Sequence, residues 1–250
     1  MHGIKAIGFD LFNTLVTVEP TTLAMAFERL VESLRAQGLN APEASFHESY
    51  RRQALRFLKA TREDGKETHN RFWIAAALRE LGHPADPDDP RIHRAVEAYF
   101  HAFSGRCHLL PGTAEVLHRL KSDYALGLLS NFTHAPAAWK LLEEVGLRPF
   151  FQTVLISGDL GYRKPHPWVF QKLAEELGVS KDELLYVGDD PGPDIYGSLR
   201  AGVKPVWSTY AQDLGLRHVS DLAYEGLPPP DGGVPRISSW EDLLKLLGAV

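Results

Sequence analysis

Five short apolar runs, separated by stretches with helical spacing, constrain this chain more than any other feature. They are Ile4 to Phe9, Tyr124 to Ser130, Thr153 to Ser157, Leu184 to Gly188 and Lys204 to Ser208. Between them, apolar residues recur every three or four positions: Ala114, Leu117, Leu120; Trp139, Leu142, Val145; Phe170, Leu173, Leu177; Ile195, Leu199. Gly146, Gly178 and Gly202 each precede an apolar residue, the pattern of a left-handed helix end with its hydrophobic contact. Runs too apolar to alternate are strands covered on both faces, and strand–helix–strand succession with short links builds crossover units. The expectation is an α/β fold, a doubly wound, Rossmann-like parallel sheet.

The stretch from Glu19 to Gly105 reads differently. Leu23, Phe27, Leu30 and Leu34, then Tyr50, Leu55 and Leu58, then Phe72, Trp73, Ala76 and Leu78, then Val96, Tyr99 and Phe103 mark successive amphipathic helices with hardly any strand signal. The first strand precedes it and regular alternation resumes after Pro111. The chain therefore divides into an α/β core, residues 1–18 and 106–250, and an all-helical cap inserted at 19–105. Hinge-like segments are expected at Val16 to Pro20 and Ser104 to Gly112. The DPDDP at Asp86 to Pro90 lacks the glycine and final Glu of a calcium loop and reads as a solvated connector. Glu225 to Pro235 is loop by composition, and Ser238 with Glu241 forms a capping box for a last helix, Trp240 to Leu247.

At 250 residues and 44% hydrophobic, the chain is large and apolar enough to bury a core. A formal net charge of -5 leaves no broad basic surface for nucleic acid. The single cysteine, Cys107, rules out an internal disulfide or thiolate metal cluster, and no uncharged run is long enough to span a membrane. The expected setting is the cytoplasm, the expected partner a small-molecule substrate with no nucleic acid and no membrane. Oligomeric state is unreadable.

In an open parallel sheet, ligands bind beyond the carboxyl ends of the strands. The residues just past those ends are Asp10, then Ser130 with Asn131, then Asp189 with Asp190, and Asp194 follows shortly after. Lys164 contributes a cation in GYRKPHP, where Pro165 fits the first position of the next helix. Up to four carboxylates converging on one ammonium raise each other's pKa or recruit a cation. Few hard oxygen ligands that leave room for water and a phosphate describe a Mg²⁺ site. The eleven histidines show no zinc spacing, and only His166 lies close to Lys164.

In these motifs the chain resembles the haloacid dehalogenase superfamily of hydrolases. FDLFNTL carries Asp10, LLSN ends in Ser130 and Asn131, YRKP supplies Lys164, and VGDDPGPD carries Asp189 and Asp194. The resemblance implies a helical cap inserted after the first strand. It implies Asp10 as nucleophile, with Thr14 fixing its loop or donating a hydrogen bond. Ser130, Asn131 and Lys164 would hold the substrate's anionic group. Asp10, Asp189 and the backbone carbonyl of Phe12 would ligate Mg²⁺, with Asp194 supporting the ion directly or through water.

The chain departs from the phosphatases of that superfamily at Phe12, where they carry a second aspartate that protonates the leaving alcohol and then activates water. A phenyl ring transfers no proton, which forfeits the ~10²–10⁴-fold such a group contributes. Three functions stay open: a Mg²⁺-dependent phosphatase acting through an aspartyl phosphate on Asp10; a 2-haloacid dehalogenase, whose halide leaves without a proton; and a catalytically weak protein that binds a phosphorylated ligand. Substrate choice would rest with the helical insertion, where Arg51, Arg52, Arg56, Arg71, His69 and Trp73 are within consideration but enter no site assignment.

Overall fold

The computed structural model describes residues 3–216 and 227–248. Its elements run β1 (Ala6–Phe9), β2 (Val16–Val18), α1 (Thr22–Ala36), α2 (Glu43–Asp64), α3 (Asn70–Glu80), α4 (Pro90–His101), β3 (Cys107–Leu109), α5 (Thr113–Leu120), β4 (Ala125–Ser130), α6 (Ala135–Glu144), β5 (Thr153–Ile156), α7 (Ser157–Leu160), α8 (Pro167–Leu177), β6 (Leu184–Gly188), α9 (Gly197–Ala201), β7 (Lys204–Ser208), α10 (Tyr210–Asp213), β8 (Arg236–Ile237) and α11 (Trp240–Leu247). Among the described residues, six strands form one parallel sheet in the order β5-β4-β1-β6-β7-β8. The five apolar runs of the sequence are five of its strands; β8 adds an edge two residues long that composition does not announce.

Both faces are covered, which is why the strands carry so little alternation. Ile7, Phe9, Leu128 and Val187 pack with Leu117, Leu142 and Leu243 on one face. Leu129, Leu155, Leu184 and Tyr186 pack with Phe170, Leu173 and Leu177 of α8 on the other. Two strand glycines let α8 seat closely. A Cβ on Gly8 would stand 2.6 Å from Leu173 Cδ2, and one on Gly127 would stand 2.7 Å from Leu173 Cδ1.

Helices α1 to α4 fall between β2 and β3, as the amphipathic spacing predicts. The segments expected to be hinge-like contain an antiparallel ribbon, Val16 opposite Leu109 and Val18 opposite Cys107. Three-residue strands give little periodicity to read, so the sequence did not reveal them. Asp89 of the DPDDP connector caps α4 by accepting from Arg91 N, with Pro90 at the first helical position.

The connection between α2 and α3 is stitched to the loop between α7 and α8. Glu67 N donates to Gly161 O, and Arg163 N donates to Gly65 O, each at 2.9 Å. Arg163 and Glu67 also form a salt bridge with both side chains 5% exposed. His166 lies beneath this seam: a Cβ on Gly65 would meet its ring at 2.4 Å.

Three local readings need correction. The proline that opens α8 is Pro167, with His166 as the capping residue, since Pro165 still belongs to the turn that carries Lys164. The cap of α11 is Ser239, which accepts from Asp242 N, one residue later than the expected Ser238, whose own N–H and hydroxyl donate to Asp242 Oδ2. Ile195 belongs to a wide turn, Pro191–Tyr196, that opens into α9. Of the loop expected from Glu225 to Pro235, Glu225 and Gly226 lie outside the described residues.

Candidate active site

Strand order alone brings the motifs together. β1 runs between β4 and β6, with Phe9 in register with Leu128 and Val187. The chain reverses its direction of winding at this point, where a parallel sheet opens a crevice at its carboxyl edge. Asp10 follows β1 directly, Ser130 closes β4, and Asp189 follows β6. The next turn folds Asn13 into the left-handed region at φ 56° and returns through Asn13 N donating to Val16 O at 2.7 Å. That turn buries Thr14, whose Oγ1 is 3.4 Å from Asp189 Oδ1.

Lys164 reaches this edge from the loop before α8 and is 1% exposed. Its ammonium donates to Asp10 Oδ1 at 2.5 Å, Asp194 Oδ1 at 2.7 Å and the Tyr186 hydroxyl at 2.8 Å. Three N–H donors meet three acceptors, so the buried charge is fully satisfied. The Lys164 backbone is fixed as tightly. Asn131 Oδ1 accepts from Lys164 N at 2.8 Å while Asn131 Nδ2 donates to Lys164 O at 2.9 Å. The Asn131 side chain therefore clamps the lysine loop to the end of β4, while Ser130 lies buried one residue earlier.

Asp194 approaches only because Gly188 has no side chain: a Cβ there would fall 2.4 Å from Asp194 Cγ. Its Oδ2 accepts from Asp190 N at 2.9 Å, while Asp190 Oδ1 caps its own turn through Gly192 N at 3.0 Å. Oxygens of Asp10, Asp189 and Asp194 all lie within 4.8 Å of one another. Trp207 Nε1 holds the Asp189 carbonyl at 3.0 Å.

The electrostatics follow from that crowding. Burial, opposed by Lys164 and reinforced by Asp194, raises the Asp10 carboxyl to about 6. Burial and then Asp10 push Asp189 well above the usual carboxylate range. Burial alone would lower the Lys164 pKa, yet Asp10 and Asp194 hold it well above an ordinary lysine. One ammonium faces three carboxylates, and the donor set is all hard oxygen, so the residues fit a divalent ion such as Mg²⁺.

Phe12 turns toward the insertion. Its ring stacks on Phe132 at 5.4 Å, and Phe132 meets Phe100 of α4 at 5.2 Å. An aromatic wall thus stands where the superfamily's phosphatases place a second aspartate. Of the side chains considered from sequence in residues 19–105, Arg71 pairs with Asp88, Arg52 with Glu80, and Trp73 is buried with its indole N–H on Thr68 Oγ1.

Sequence reasoning missed Tyr186. The available signal was a lone hydroxyl in the otherwise aliphatic LLYVG strand, since a buried phenol needs a partner. Its hydroxyl donates to Leu129 O at 2.8 Å and accepts from Lys164. Replacing Tyr186 with Phe orphans that carbonyl and one ammonium N–H. A loss of about 1–3 kcal/mol in urea unfolding is expected, together with a fall in kcat at little-changed KM; unaltered stability and turnover would contradict this role.

Comparison with known proteins adds independent findings. A family model described as haloacid dehalogenase-like hydrolase matches residues 4–202. The glyceraldehyde 3-phosphate phosphatase of Pyrococcus abyssi is 31% identical over 211 residues, 84% of this chain and 83% of its own length. The 2-haloacid dehalogenase of Pseudomonas syringae superposes with a TM-score of 0.69 over 98% of both chains at 23% identity. The HAD-hydrolase YfnB of Bacillus subtilis, a structure described as bound to magnesium, superposes at 0.62 over 98% of both chains with 22% identity.

Proposed function

The chain belongs to the haloacid dehalogenase-like hydrolases, and from that premise we propose that it is a Mg²⁺-dependent phosphatase acting on a small phosphorylated metabolite through a phosphoaspartate on Asp10. The observation that carries this reading is the packing of Asp10, Asp189 and Asp194 within 4.8 Å around a single lysine. Asp10, Asp189, the Phe12 carbonyl and Asp194, directly or through water, are the groups proposed to hold the ion. When bound, the ion supplies charge neutralisation at the phosphoryl oxygens.

The protein's own residues account for the rest. Lys164 keeps Asp10 ionised and fixes one of its oxygens, so the carboxylate is oriented before substrate arrives. Attack forms the bond from Asp10 to phosphorus and breaks the ester bond. The leaving oxygen takes its proton from solvent, because Phe12 has none to give. Water then cleaves the phosphoaspartate, releasing inorganic phosphate and restoring Asp10. Ser130 and the backbone N–H groups after Asp10 are proposed to bind the phosphoryl oxygens, with Thr14 bracing Asp189. The helices of 19–105 are proposed to act as a cap, choosing the substrate's remaining portion.

A haloacid substrate would bring its own carboxylate up to three others, which disfavours the dehalogenase reading. The test is phosphate release from an aryl phosphate with Mg²⁺ and with EDTA, beside chloride release from 2-chloropropionate. Metal-dependent phosphate release and a melting temperature raised by Mg²⁺ are expected. Metal-independent chloride release, or melts identical in Mg²⁺ and EDTA with no phosphate, would overturn the proposal.

A further inference from the structure

Lys164 stands on a loop, not on a strand, yet its ammonium meets Asp10, Asp194 and Tyr186 at 2.5, 2.7 and 2.8 Å. Loops place side chains less precisely than strands or helices, and a misplacement of about 1 Å at a reacting group costs about 10²-fold in rate. The loop therefore needs to be held from outside itself. Asn131 clamps the Lys164 backbone from the end of β4. The residues before Lys164 are held by the connection between α2 and α3, which the mechanism above does not use.

Gly65, Lys66 and Glu67 run antiparallel to Gly161, Tyr162 and Arg163, with Lys66 opposite Tyr162. Glu67 N donates to Gly161 O and Arg163 N donates to Gly65 O, each at 2.9 Å. Two segments this short do not hold together in water by backbone pairing alone, and side chains fasten them. Arg163 Nη1 donates to Glu67 Oε1 at 2.9 Å, with both side chains 5% exposed. The same oxygen accepts from Thr68 N at 2.7 Å, and Thr68 Oγ1 accepts from the Trp73 indole at 3.0 Å, so the glutamate is itself tied to α3. Gly65 closes α2 at φ 69°, and a Cβ there would strike the His166 ring at 2.4 Å. His166 N in turn donates to Arg163 O at 3.0 Å. Arg163 is thus fixed at its N–H, its carbonyl and its guanidinium, one residue from Lys164.

We propose that Glu67 and Arg163 are positioning residues for the reaction: their buried bridge fixes the loop that presents Lys164, and so keeps the ammonium on Asp10. The inference deepens the phosphatase reading and rests on it for its rate readout. Removing one partner leaves the other charge buried and uncompensated, which parts the two short segments. The ammonium then loses its set direction toward Asp10, and the nucleophile loses its orientation. A placement of α2 and α3 that breaks this bridge is therefore also one that releases the lysine.

The experiment measures kcat and KM for an aryl phosphate in Mg²⁺. Glu67→Ala and Arg163→Met should each lower kcat by about 10-fold or more, with KM held within about twofold. The double variant leaves no lone buried charge and should lose kcat to about the same extent as either single change, because residues that act as a unit are not additive. Arg163→Lys keeps a cation within reach of Glu67 and should retain most of the rate. A second readout needs neither substrate nor metal: acetic anhydride labelling of the metal-free protein, followed by peptide mass spectrometry. Lys164, 1% exposed and bonded to three acceptors, should label slowly in the wild type. In both single variants it should label on the order of fivefold faster or more. Leu243→Ala, a truncation in α11, controls for general loosening and should leave the Lys164 rate at its wild-type value. Wild-type kcat in the folded single variants, losses confined to KM, or Lys164 labelling as slow as in the wild type would overturn the inference. A wild type that releases no phosphate would overturn the phosphatase reading, and the labelling comparison would then decide by itself whether the bridge holds the lysine.

Discussion

Asp10→Asn abolishes phosphate release, a loss of about 10⁴-fold or more, while the protein stays folded. An amide nitrogen is no nucleophile and an amide oxygen attacks poorly, so the covalent route closes. The fold tolerates the change for an electrostatic reason. Asp10 is the carboxylate that burial raises to about 6, and its neighbours Asp189 and Asp194 repel it. The amide is nearly isosteric and can still accept from Lys164, which keeps Asp194 as its counterion. A thermal melt of the metal-free variant at or above the wild-type temperature is expected. Intact-mass analysis of wild type quenched during turnover should show a phosphoryl adduct that the variant lacks. Residual turnover within tenfold of wild type would remove Asp10 from the reaction.

Phe12→Asp has the second largest expected effect, and in the opposite direction. It restores a proton donor two residues from Asp10, so kcat on an alkyl phosphate should rise by ~10²–10⁴-fold while an aryl phosphate, with its better leaving group, gains little. The cost is structural and smaller. Phe12 gives up its stack on Phe132, worth about 0.5–1.5 kcal/mol beyond simple burial. Its position is only half-buried, so the new carboxylate keeps access to water. The informative quantity is the alkyl-to-aryl ratio of kcat, which cancels any general loss of active enzyme. A ratio unchanged from wild type would mean that the missing acid does not limit this protein.

The residues singled out from sequence come together in the structure because they sit at strand ends. Asp10, Ser130 and Asp189 are each announced by an apolar run that stops, and a parallel sheet has one carboxyl edge at which such stops can meet. What failed was anything carried by a single residue or a very short element. The ribbon of β2 and β3 is three residues a side, too short for alternation to register. Tyr186 was hidden among aliphatic neighbours, and Asn131 was expected to hold the substrate's anionic group, whereas its side chain makes two hydrogen bonds to the Lys164 backbone.

The order of apolar runs and helical spacings determined the sheet, the run of helices between β2 and β3 and the chemical types available at the carboxyl edge, because those depend on local period and on chain order. Only the tertiary structure decided which groups share a charge and which are left over. It paired Lys164 with Asp10, Asp194 and Tyr186, and turned Asp190 aside to cap its own turn. Hydrogen bonds and ion pairs act over about 3 Å between residues that for Lys164 lie 22 to 154 positions away, and at that range a difference of one rotamer decides the partner.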